Sequence, residues 1–188
     1  MRVVLVKNEF MKHQFFTLAL LIGTILLINA CKKQKAEPIL VEDNLTSCGG
    51  KNCSYLFYEH KDLDSPRLNY KLGQFRVFEY ASASIYTPNL QEFTKVFIKA
   101  QVLGTSFTLN QQELLSKVSF VQSCASCNMI GLKVKGGYAK GINLTPNKPA
   151  DQTKWLIEAK LFLGVDGVSK AVDTLYIKQY FYPNFVYN

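Results

Sequence analysis

The sequence predicts a mostly β fold, a single antiparallel β-sandwich or small barrel behind a signal peptide and a flexible tether. Three observations carry this. Beyond residue 50 the chain is a succession of short stretches in which Phe, Tyr, Val and Ile alternate with polar residues. Gly, Pro, Asn and Asp break these stretches at close intervals. The 188 residues also hold 10 Tyr and 13 Phe, side chains suited to a pleated, half-buried surface.

The amino terminus is an address. Phe15 to Ile28 reads FFTLALLIGTILLI, with basic Lys12 before it and small Ala30 after it. That is the order of a secretory signal. As a helix these residues are about 21 Å long, short of a ~30 Å hydrocarbon core, so a permanent span is the weaker reading. Met11-Lys12 is a normal start for such a signal, which makes residues 1–10 a candidate start-site extension.

Leu27-Ile28-Asn29-Ala30-Cys31 resembles the lipobox of bacterial lipoproteins, with Ile28, Ala30 and Cys31 at the matching positions and Asn29 a less usual residue. The resemblance covers only residues 11–31. It implies removal of residues 1–30, a diacylglyceryl thioether on Cys31 and acylation of the new amino terminus. Several acyl chains anchor stably where one is marginal. The implied location is the bacterial cell envelope, lipid-anchored to a membrane.

Residues 31–47 read as the lipidated cysteine and its tether. Lys32 to Glu37 is polar, Pro38 discourages helix, and Glu42-Asp43-Asn44 is polar again. The residues after Cys31 are basic, whereas acidic residues there resemble a surface-export signal. This favours the periplasmic face.

The net charge is +8, of which residues 1–30 carry two. Lys32, Lys33 and Lys35 cluster where lipid head groups would lie. The other lysines are scattered, unlike a nucleic-acid arm, so no nucleic-acid partner is expected.

The β domain is assigned to 48–188. Four cysteines remain there: Cys48, Cys53, Cys124 and Cys127. An even number in an exported domain favours disulfides, and three connectivities are open. The turn-like Gly49-Gly50-Lys51-Asn52 and Ala125-Ser126 favour the local pairs. Zinc on four thiolates is a minor alternative, because about seventy residues separate the two pairs, more than zinc ribbons usually place between them. A thiol–disulfide oxidoreductase using Cys124 and Cys127 would need a helix N-terminus, and the residues after Cys127 look β-like and glycine-rich.

Expected strands run along 54–59, 72–80, 92–103 and 105–109, with turns at Asp62–Arg67 and Thr87-Pro88-Asn89. Asn110 and Glu113 have the spacing of a capping box for a short helix. Strands at 117–122, 130–135 and 138–144 follow, and Gly136-Gly137 suits a tight hairpin between the last two. The clearest hairpin lies near the end. Lys154 to Leu163 puts Trp155, Ile157, Ala159, Leu161 and Leu163 on one face and Lys154, Glu158 and Lys160 on the other. Asp166-Gly167 turns the chain, and Ala171 to Phe181 alternates back.

Catalytic signatures are thin. His60 is the one histidine of residues 31–188, in a polar stretch where an exposed position is expected. Asp62 and Asp64 begin like a calcium loop, but its glycine and terminal glutamate are absent. A carboxylate hydrolase would need acids brought together from afar, and no spacing selects a pair. The most aromatic stretch is Tyr176 to Tyr187, and Tyr180, Tyr182 and Tyr187 are the candidate contacts for a protein or glycan partner. The sequence therefore favours a non-catalytic binding or accessory lipoprotein with no cofactor beyond its lipid. The alternative is an envelope enzyme, either redox through Cys124 and Cys127 or hydrolytic through carboxylates.

Overall fold

The computed structural model describes residues 40–87, 90–124, 127 and 131–184. Residues 1–39, with the expected signal peptide, Cys31 and its basic neighbours, and Pro88-Asn89, Ala125-Ser126, residues 128–130 and residues 185–188 with Tyr187 lie outside the described residues. No described helix is long and apolar enough to cross a membrane.

The described chain is mostly β, as the alternating stretches require. In order it forms β1 (Asn52–Leu63), β2 (Tyr70–Leu72), β3 (Phe75–Thr87), β4 (Leu90–Gln101), β5 (Ser106–Leu109), α1 (Gln111–Lys117), β6 (Val118–Cys124), β7 (Leu132–Asn143), β8 (Trp155–Val165) and β9 (Asp173–Pro183). A single 3-10 turn at Ala150–Gln152 precedes β8. The strands join in the order β5-β7-β8-β9-β1-β3-β4-β6, with β2 added to β1, and the sheet curls into a half-barrel.

Side chains alternate across a strand, so one set lines the inside of the curl. On β8 that set is Trp155, Ile157, Ala159, Leu161 and Leu163, all buried as the alternation requires. They meet Phe57, Phe78, Val96, Ile98, Ile177 and Phe181 in one core. Phe78 is its hub, with ring centroids 5.4 Å from Phe107, 5.4 Å from Trp155 and 5.8 Å from Phe181. Arg76 lies over the Trp155 ring at 4.4 Å, donates to Glu59 Oε1 at 2.9 and 2.6 Å, and reaches the Val102 carbonyl at 3.0 Å. A buried guanidinium is tolerable here because a carboxylate and an aromatic face meet it.

The curl leaves two seams. At the first, β1 and β9 run parallel but pair only at Leu56↔Tyr182 and Phe57↔Pro183. Beyond those pairs, the segment 42–46 lies against β9. Thr46 N–H donates to the Lys178 carbonyl at 2.9 Å, and Lys178 N–H returns a bond to Thr46 Oγ1 at 3.1 Å. The Cys48–Cys53 pair, Cα atoms 6.0 Å apart, ties this strap to β1. Residues 40–47 belong to the stretch assigned to the tether, yet Leu40 is buried and Asp43 and Thr46 are bonded to β9. At the second seam β6 lies against β7, and α1 packs on β7, β4 and β6 through fully buried Leu114.

The helix is where the capping spacing puts it. Asn110 accepts from the Glu113 N–H at 3.0 Å, and the Glu113 carboxylate accepts from the Asn110 N–H at 3.3 Å.

The Gly136-Gly137 hairpin is not formed. The two expected strands are one, β7, with a bulge between Val134 and Gly136. Gly137 has φ +121°, and a Cβ there would lie 1.8 Å from the Lys160 carbonyl oxygen. The glycines serve a bulge and a close backbone approach, which leave the same mark on a sequence as a turn. Glu158 also departs from expectation: it lies on the outer face as its parity dictates but is buried.

Candidate functional site

The outer face of β7, β8 and β9 gathers the tyrosines that the sequence singles out. Its composition follows from register, because directly opposed residues on antiparallel strands share a face. Three rows cross the three strands: Tyr138–Lys160–Tyr176, then Lys140–Glu158–Lys178, then Ile142–Leu156–Tyr180. Tyr182 continues the β9 series beyond Tyr180, and Phe162 stands beside the first row on β8.

The middle row is a compensated charge network. Glu158 accepts from Tyr138 Oη at 2.7 Å and faces Lys140 Nζ at 3.4 Å and Lys178 Nζ at 4.0 Å. Lys178 Nζ in turn meets Asp43 of the strap at 2.7 Å. Burial first, and then the bond to Glu158, push the Tyr138 phenol up to about 12. The hydrogen bond from Lys178, joined by its charge, holds Asp43 below the ordinary carboxylate range. The same contact raises Lys178. A buried carboxylate met by a phenol and two ammonium groups is a compensated structural contact.

On either side of this row the face is exposed in part, at Tyr176 and neighbouring Phe162 on one side and at Tyr182 beyond buried Leu156 and half-buried Tyr180 on the other. Tyr182 is 50% exposed, Tyr176 41% and Phe162 38%. Tyr180 is half-buried, its hydroxyl bonded to the Glu42 carboxylate and its ring capped by Lys154 Nζ at 3.6 Å from the centroid. Lys160 Nζ lies 5.7 Å from the Phe162 ring. The result is two exposed aromatic spots on one face, Tyr176 and Phe162 around Lys160 and Tyr182 beyond Tyr180 and Lys154, and neither lysine has an acidic partner among the described residues.

The other candidates are not brought together. His60 is exposed on β1 at a bulge, φ +53°, with no side-chain partner among the described residues. Asp62 bonds Lys99 at 3.1 Å and Asp64 pairs with Lys71 at 3.3 Å, so neither is half of a calcium loop. The four cysteines form two local pairs at disulfide distance, with Cα separations of 6.0 Å for Cys48–Cys53 and 5.3 Å for Cys124–Cys127. No group of three or more His, Cys, Asp or Glu suited to a metal is present among the described residues.

Sequence reasoning selected Tyr180 and Tyr182 but missed Lys154, Lys160, Tyr138 and Phe162 as their neighbours. The usable signal was register. Once the 154–163 and 171–181 stretches are read as one hairpin, alternate residues opposite Tyr176 and Tyr180 must share their face.

No protein family model, curated protein or solved structure matches this chain.

Proposed function

We propose that the chain is a lipid-anchored bacterial envelope protein that acts as a non-catalytic binding module, held by Cys31 and making contact through the outer face of β7–β9. One observation carries the binding surface: three large aromatic side chains on one sheet face stand 38–50% exposed, Tyr176 and Phe162 around Lys160 at one end and Tyr182 beyond Tyr180 and Lys154 at the other, about 20 Å along β9. Exposed aromatic groups clustered on one face mark contact surfaces. The lipobox resemblance supports the anchor and the envelope location, and the two cysteine pairs suit an oxidising compartment.

The test is a photo-crosslinking residue placed at position 182 and, as a control, at position 72. Leu72 is 83% exposed on β2, which pairs with β1 and not with β9. The expected result is crosslinked product, to protein, glycan or lipid, in living cells from position 182 and none from position 72. Equal products from both positions, or none from either, overturn the binding surface.

A further inference from the structure

We propose that the β7–β9 face rests on the anionic headgroup layer of the same bilayer that the lipid enters. The inference rests on the anchor of the proposed function and gives its binding surface a partner.

Chain length supplies the first argument. The strap is seated on β9 from Glu42 onward, by the bonds of Glu42, Asp43 and Thr46. Eleven residue steps then separate Glu42 from Cys31, a reach of at most about 40 Å at full stretch. Had residues 32–47 all been free, the domain would have had about 50 Å of slack.

Position supplies the second. The strap arrives beside Tyr180, whose hydroxyl meets Glu42 and whose ring carries Lys154. Tyr182 is two residues further along the same face. The anchor's chain therefore reaches the domain beside the Tyr180–Tyr182 end of this face.

Chemistry supplies the third. Tyr and Phe at a surface with lysines beside them match a headgroup layer, where amphipathic rings sit at the interface and ammonium groups meet lipid phosphates. The acids on this face are occupied. Glu158 is shared by Tyr138, Lys140 and Lys178, Asp43 is held by Lys178, and Glu42 by Tyr180. Lys154 and Lys160 are the cations left facing outward, and Lys32, Lys33 and Lys35 lie in the connecting stretch.

The experiment uses the lipidated protein, reconstituted into vesicles of phosphatidylglycerol and phosphatidylethanolamine with brominated acyl chains. Tyr182→Trp and, separately, Leu72→Trp report contact. Trp155 is buried at 1% exposure and is the common background. The expected result is a blue shift and bromine quenching of the added tryptophan at 182, with neither at 72. Adding Lys154→Glu and Lys160→Glu to Tyr182→Trp should reduce the quenching. Protein that incorporates but leaves position 182 as unquenched as position 72 overturns the proposal and leaves the anchor standing. Protein that does not associate with vesicles at all overturns the anchor and this inference with it. Emission at 182 that responds to a soluble acidic polysaccharide but not to brominated lipid assigns the face to a glycan instead.

Discussion

The two halves of the curled sheet treat their outer faces differently. At the Val77 and Phe97 end of β3–β4 the chain covers its own face, while Ile85 and Phe93 at the other end of these strands stay exposed. Leu63, Val77 and Phe97 form a second small core, with Leu68, Tyr70 and Phe75 packed around them. Tyr70 donates to Glu79, which also pairs with Lys95 at 2.8 Å. On the β7–β9 side the cover stops short. The strap reaches Lys178 and Tyr180, and Leu156 is buried, but Tyr176, Tyr182 and Phe162 are left to solvent. Both faces are aromatic, so composition does not distinguish them. The difference lies in whether the chain supplies a cover, and an aromatic face without one is available to a partner.

That comparison can be broken by mutation. Phe97→Ala on the covered face removes a ring that is 3% exposed, and should cost about 3–5 kcal/mol in a denaturant titration. Tyr182→Ala on the open face should stay within about 0.5 kcal/mol, since no buried contact is lost. Similar costs at the two positions would mean that the β7–β9 face is as well packed as the other. Glu158→Leu lies between them. It strands Lys140 and one side of Lys178, for an expected loss of about 3 kcal/mol, read as a lower midpoint without a change in slope.

The strap sharpens the comparison through pH. Asp43 is lowered by Lys178, so its contribution is present above its ordinary 3.8 and is lost as pH falls through the lower folded value. Lys178 is raised by Asp43, so its contribution is present below its ordinary 10.5 and is lost as pH rises through the higher folded value. Protection of the Thr46 amide, corrected for intrinsic exchange, should therefore hold between these limits and weaken outside both. Protection that ignores pH, or that Asp43→Asn leaves untouched, would show that the ion pair does not hold the strap. The smallest of these effects is Asn110→Ala, about 1 kcal/mol for the lost cap of α1. It should leave the outer-face exposures unchanged.

What could be read from the sequence was local. The capping box of Asn110 and Glu113 needs only neighbours in the chain, and it stands as expected. The β8 alternation did the same for Trp155 to Leu163, and the turn residues inside each cysteine pair for the two local pairings. What escaped depends on partners far along the chain. The Lys178–Asp43 contact spans 135 residues, and the β1–β9 pairing joins the first strand to the last. No periodicity predicts that Leu156 and Glu158 are buried on the outer face, because the residues that shield them lie on β7, on β9 and in a stretch with the composition of a linker. Gly136-Gly137 misled for the opposite reason, since a bulge and a turn ask for the same residue. Of the candidate site, the tyrosines were legible and their lysine rim was not.

The central claim is that the domain hangs from Cys31, and the most direct test is the intact mass of the mature protein purified from membranes. The account predicts a chain beginning at Cys31, heavier than its sequence by a diacylglyceryl group and a further acyl chain, with a rise on reduction and alkylation matching two disulfides. A mass that retains residues 1–30, or that shows Cys31 unmodified, would contradict it.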